Sequence, residues 1–175
     1  LEEVYRDVGI TDRNTYNGEG IKVGILEAAH PNSTINFPTN NITTYGVSST
    51  DKHTTAVMSL IGGTYGIDPN VSFYCAATSY KPYPPEGTHN VSFIDCLNWL
   101  LITNSVDIVN MSAGIITFED FRIQNGIYVC ERSSHTATHY TNLCAYVDYA
   151  IATTGCLIIK SAGNYGNINV TNLRD

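Results

Sequence analysis

Charge is scarce in this 175-residue chain. Only 14% of its residues are Asp, Glu, Lys or Arg, against about 25% in an average domain. Disordered chains carry many charges and few aromatics. Here 12 Tyr and 5 Phe accompany a 43% apolar fraction, so one packed globular domain is expected. Cations are scarcer still: 9 Lys and Arg stand against 16 Asp and Glu, for a formal net charge of -7. With no basic stripe, nucleic acid is not an expected partner. No apolar run approaches the ~20 residues of a membrane span, and Leu1-Glu2-Glu3 does not read as a signal peptide. The five cysteines form no CxxC pair and no zinc spacing. A Walker A sequence and a GxGxxG after a strand are both missing. Gly62-Gly63-Thr64-Tyr65-Gly66 follows a helical pattern, the wrong place to cradle a phosphate, so a nucleotide-binding α/β domain is set aside.

What the sequence does contain is alternation. Ile21 to Leu26, Val71 to Ala77, Val106 to Met111 and Cys156 to Ser161 are short apolar runs bounded by turn residues. Four such runs predict strands of a parallel sheet buried on both faces. Helical patterns lie between them: His53 to Ile61, stopping at Gly62-Gly63; Val91 to Thr103, with Asn90 as N-cap; and a segment with Leu143, Val147, Ala150 and Ile151 on one face, ending at Gly155. The expected class is α/β, a parallel sheet flanked by helices. Residues 79–89 carry three prolines and residues 115–140 are long and polar; both are expected to be loops. Cys75, Cys96 and Cys156 read as small buried hydrophobes. Cys130 and Cys144 flank a polar stretch and are candidates to pair in an oxidising compartment.

In such sheets chemistry gathers at the carboxyl ends of the strands. The residues there are Glu27, Ser112-Ala113-Gly114 and Gly163-Asn164, and His53 opens a helix. A carboxylate, an imidazole, a small-residue turn and an amide donor are components of an acyl-transfer site.

At these positions the chain resembles the subtilisin-like serine peptidases, in five blocks that keep the family's order. Asn17 to Glu27 resembles the approach to the catalytic aspartate, and His53-Thr54-Thr55-Ala56-Val57 the catalytic histidine helix. Gly66-Ile67-Asp68-Pro69-Asn70-Val71 is similar to a Gly-Val-Ala-Pro-Asn-Ala turn. Asp107 to Gly114 resembles the strand beside the substrate, and Ser161-Ala162-Gly163-Asn164-Tyr165-Gly166 the oxyanion segment. Residues 115–142 match nothing in the family and form an expected insertion loop.

The resemblance implies roles. Glu27 would orient His53, His53 would be the general base, and Asn164 would donate to the oxyanion. Ser112, Ala113 and Gly114, with Ala162 and Gly163 opposite, would line an extended peptide or protein substrate. It also implies a secreted or cell-surface location and, as a family habit, bound calcium, although no acidic loop in the sequence argues for a calcium site. Six Asn-x-Ser/Thr sequons occur, but Asn110 falls in a predicted buried strand, so sequons alone do not establish glycosylation. His30, His89, His135 and His139 lie in predicted loops and are expected to be solvated; His135 and His139, at i and i+4, lack a third metal ligand.

Two departures qualify the resemblance. Glutamate stands at position 27 where the family carries aspartate. Some triads on other folds do use glutamate, and Asp51 is a conceivable substitute. More seriously, no Gly-Thr-Ser-Met-Ala segment is present. The family template places the serine about 157 residues beyond the histidine, roughly position 210 here. Residues 1–175 are therefore expected to be the N-terminal portion of a single subtilisin-like domain, incomplete at the C-terminus and completed by a C-terminal segment carrying the nucleophile. Part of the sheet should stand uncovered without it. The competing expectation is a degenerate domain that binds peptides or a protein partner without cutting.

Overall fold

The structure is a computed structural model. It describes residues 17–33, 37, 41–78, 93–112 and 145–161, together with the backbone of 121–124, 127–130 and 142–144. In chain order the elements are β1 (Lys22–Glu27), β2 (His30–Pro31), β3 (Ile42–Gly46), β4 (Thr50–Asp51), helix α1 (Lys52–Gly62) and β5 (Ser72–Ala77). Helix α2 (Phe93–Asn98) follows and runs into a π-helical turn at Trp99–Thr103. The chain continues through β6 (Ile108–Met111), β7 (Phe121–Gln124), β8 (Ile127–Cys130), helix α3 (Asn142–Thr154) and β9 (Leu157–Lys160).

Five strands form one sheet in the order β3-β5-β1-β6-β9, and every pairing in it is parallel. The four strands expected from their apolar runs are β1, β5, β6 and β9. The fifth, β3, is Ile-Thr-Thr-Tyr-Gly, an edge strand whose threonines are exposed. Its low hydrophobicity hides it, although its β-branched and aromatic residues favour a strand.

Side chains alternate across the sheet and build two cores. Val23 and Ile25 of β1, with Phe73 and Cys75 of β5, pack against Met58, Val57 and Ile61 of α1. Leu26, Ala76, Val109 and Met111 point the other way, onto Leu97, Leu100, Leu101 and Ala150 of the α2 and α3 layer. Each fully buried Leu, Ile or Phe among these contributes about 1.5–3 kcal/mol. Glycine at position 24 lets the second layer come close: a Cβ there would lie 3.0 Å from Val109 and 3.2 Å from Leu100.

Helix boundaries follow their caps. Asp51 is the N-cap of α1, its carboxylate accepting from the Thr54 N–H at 2.7 Å. Helix α3 ends before Gly155, which takes φ +71° as a C′ residue. The predicted 91–103 helix, described from Phe93 onward, changes pitch at Trp99, where Asn104 caps the turn by donating its N–H and its side-chain amide to the Trp99 carbonyl. Ile94 is exposed, because the buried stripe of this helix runs through Cys96, Leu97, Leu100 and Leu101; Asn90 lies outside the described residues.

Inside the 115–142 region, β7 and β8 pair antiparallel, with Gln124 opposite Ile127. Part of the expected loop is therefore a ladder. The signal was present as Asn125-Gly126 between two β-prone runs. Cys75, Cys96 and Cys156 are buried free thiols, as expected; the Cys130 and Cys144 side chains lie outside the described residues. Among the described residues, no helix is long and apolar enough to cross a membrane.

Candidate active site

Strand β1 is central, with β5 on one side and β6 on the other. The chain crosses from one half of the sheet to the other around it, which makes its carboxyl end the topological switch point where α/β sheets open a crevice. Glu27 is the last residue of β1. It lies on the α1 side of the sheet by the alternation that also sends Val23 and Ile25 there.

Helix α1 begins at that same end. The Thr54 side chain, fully buried, donates to the Ala29 carbonyl at 2.8 Å and ties the helix's first turn to the segment just after Glu27. The cap bond from Thr54 to Asp51 fixes the turn from its other end. His53 is thereby held over the carboxylate, with its Nε2 3.6 Å from Glu27 Oε1. That is ion-pair range and too long for a hydrogen bond, and Oε1 has no hydrogen-bond partner. Catalytic contacts of this kind are often long before substrate arrives. Glu27 is 4% exposed, whereas the His53 side chain is 60% exposed. The acid is sheltered and the base faces outward.

Burial pushes the Glu27 carboxyl above its ordinary value, and the negative charge of Asp51 adds to the rise. His53 and hydrogen bonds from the Ser112 side chain and backbone N–H oppose it. Asp51 itself is engaged as a helix cap, so Glu27 and not Asp51 is the acid that meets the imidazole. Beneath the site the Cys75 thiol is pushed up to about 12, chiefly by burial and then by Glu27. It is a neutral core side chain and no nucleophile.

Ser112 follows β6 directly, and Ser161 follows β9. The Ser161 N–H donates to the Met111 carbonyl at 3.0 Å, so the two segments leave the sheet side by side. The structure thus brings Glu27, His53 and Ser112 together. Ala113, Gly114, Ala162, Gly163 and Asn164 lie outside the described residues, as do His89, His135 and His139. The expectation for His30 changes: it sits half-buried in β2 with its Nδ1 shielded and unbonded, and burial lowers its pKa. Short parallel pairing of His30-Pro31 with β4 draws it inward. Among the described residues, no group of three or more His, Cys, Asp or Glu is placed to hold a metal ion.

No protein-family model matches the chain, and no curated protein matches it. Solved structures do. The fold is subtilisin-like. The prenylagaramide maturation protease PagA superposes with a TM-score of 0.56 at 21% identity, covering 83% of this chain and 47% of its own. MycP1 from Mycobacterium smegmatis gives 0.54 at 17% identity, covering 93% of this chain and 45% of its own. A point mutant of the protease domain of PatA gives 0.55 at 17% identity, with 87% and 53% covered. The chain spans about half the length of these structures. The shared feature is the α/β architecture, with its parallel sheet between helical layers.

Proposed function

We propose that this chain is the acid-and-base part of a subtilisin-type serine endopeptidase domain. The observation that carries the reading is the Glu27–His53 pair, 3.6 Å apart, at the carboxyl end of the central strand of a subtilisin-like fold. Proteases head the structures it resembles, and that likeness makes peptide hydrolysis the favoured chemistry for the pair.

In this reading a serine from a segment beyond residue 175 attacks the scissile carbonyl carbon. His53 takes the serine's proton and then gives it to the leaving amine. Glu27 accepts the other imidazole N–H and stabilises the imidazolium. The Asn164 side chain donates to the oxyanion, and Ser112, Ala113, Gly114, Ala162 and Gly163 line the peptide. Water then repeats the cycle on the acyl-enzyme. The ring now turns Nε2 to the acid, whereas the template uses Nδ1; presenting Nδ1 takes a change of the exposed side chain at χ1 as well as χ2. No step calls for a metal, and the described residues offer no calcium cluster. A location in a secreted or surface compartment fits neighbours such as MycP1, which belongs to the ESX-1 type VII secretion system.

The serine-bearing segment is the partner this reading requires. Its support is an open apolar face: Leu157 and Ile159 of β9 are 57% and 51% exposed. A second reading, a degenerate domain that grips peptides without cutting, is favoured by the unbonded Oε1 and the raised Glu27 pKa.

Fluorophosphonate labelling of the full-length protein separates the two, because the probe reports an activated serine. The peptidase reading expects labelling of the wild type and its loss in His53→Ala. An unlabelled, folded wild type gives the binding reading the field, and labelling that persists without His53 removes this histidine from the mechanism.

A further inference from the structure

Glutamate at position 27 poses a mechanical problem. Its carboxylate hangs on one more rotatable bond than an aspartate's, and a side chain free to turn would not hold a proton acceptor steady against His53. The surroundings supply a restraint. Leu26 of β1 stands opposite Met111 of β6, so the next residues along, Glu27 and Ser112, are neighbours across the ladder. The Asn110 side-chain amide donates to Ser112 Oγ at 2.9 Å. That bond occupies a lone pair of the hydroxyl and leaves its hydrogen free to point at an acceptor. The carboxylate within reach across the ladder is that of Glu27, whose pKa the Ser112 hydroxyl and backbone N–H both act to lower. Oε1 is left unbonded and turned toward His53 Nε2.

We propose that Ser112 is the positioning residue of the acid, its hydroxyl oriented by Asn110 and pinning the Glu27 carboxylate so that Oε1 stays aimed at His53. The proposal rests on the peptidase reading above and gives Ser112 a task different from lining the substrate. It also explains Asn110. This asparagine begins a sequon, yet its half-buried amide is committed to Ser112, so it acts as a strut and not as a glycan acceptor. The titratable groups facing Glu27 are His53 and Asp51 from the start of α1 and Cys75 from β5. None of these can replace a neutral donor that approaches from β6.

The test uses the full-length protein with Ser112→Ala and Ser112→Thr. In peptide hydrolysis, Ser112→Ala lowers kcat about tenfold with KM within about twofold, the signature of a lost transition-state interaction. Ser112→Thr keeps the hydroxyl and recovers most of the rate. An independent readout needs no activity: carbon-13 carboxyl titration of Glu27 by NMR. Removing a donor to the carboxylate raises its midpoint in Ser112→Ala, and Ser112→Thr returns it toward the wild-type value. An unmoved midpoint in folded Ser112→Ala overturns the proposal, and so does a change confined to KM, which would leave Ser112 a substrate contact alone. A midpoint that shifts in a wild-type background that cleaves nothing keeps the restraint and removes the peptidase reading.

Discussion

Glu27 carries a conflict between stability and chemistry. A buried carboxylate without a full set of partners costs the fold free energy, and burial is the leading cause of its raised pKa. The sign follows from linkage. The folded state holds the Glu27 proton more tightly than the unfolded chain does. Between the ordinary value of 4.5 and the higher folded midpoint, the native state therefore binds more protons, and stability falls as pH rises through that window. A neutral isostere does not suffer this loss. In the full-length protein, Glu27→Gln is expected to melt a few degrees higher than wild type at neutral pH, with the advantage shrinking toward pH 4. In the peptidase reading, hydrolysis should fall by a factor on the order of 10⁴, as when the triad acid of a chymotrypsin-type enzyme becomes an amide. Scanning calorimetry from pH 4 to 8 checks the first part. A melting difference that does not vary with pH would mean the carboxylate is as well solvated as in the unfolded chain.

At the scale of the element, α1 is both a core helix and the mount for His53. Its N-cap, Asp51, stands two residues before the histidine and acts in two separable ways. It satisfies the Thr54 N–H, and its charge raises the Glu27 pKa. Asp51→Ala removes both and should cost about 1 kcal/mol of stability. Asp51→Asn keeps a capping oxygen but removes the charge, so stability should stay near wild type while the Glu27 midpoint falls. Urea unfolding and carboxyl titration of the two variants provide the comparison; equal destabilisation by both would refute the capping role.

This element was legible in the sequence because its signals are local: His53 to Ile61 has helical spacing, and Gly62-Gly63 stops it. The central strands were legible for the same reason, since a doubly buried strand writes itself as an apolar run. The edge strand β3 was not, because an edge buries little and so leaves a weak hydrophobic pattern; the β7–β8 pair left only the local Asn125-Gly126 signal between two β-prone runs. Glu27 and His53 were singled out by motif order, and the structure places them 3.6 Å apart. The Ser112–Asn110 restraint was beyond reach, because it depends on the register of β1 against β6, in which Leu26 stands opposite Met111, 85 positions later in the chain, and register is a tertiary fact.

The whole molecule is asymmetric about its sheet. On one face β1, β6 and β9 are covered by α2 and α3, with Ile158 packed into that core. On the other, α1 covers β1 and β5, but Leu157 and Ile159 remain open beside Ile108 and Asn110, their register partners. Two large aliphatics at alternate positions of an edge strand, on one face, invite association. In the peptidase reading the serine-bearing segment packs here, which would seat the nucleophile on the same side of the sheet as Glu27 and His53. The consequence is a contrast between exposed apolar sites. Leu60 on α1 is 73% exposed, and Leu60→Asp should change the stability of the full-length protein by no more than about 0.5 kcal/mol. Leu157→Asp and Ile159→Asp should each cost about 2–4 kcal/mol if that segment buries them. Urea denaturation of the three variants gives the answer. Equal, small effects at all three positions would mean that the face stays open in the intact protein, and that the nucleophile must reach His53 by another route.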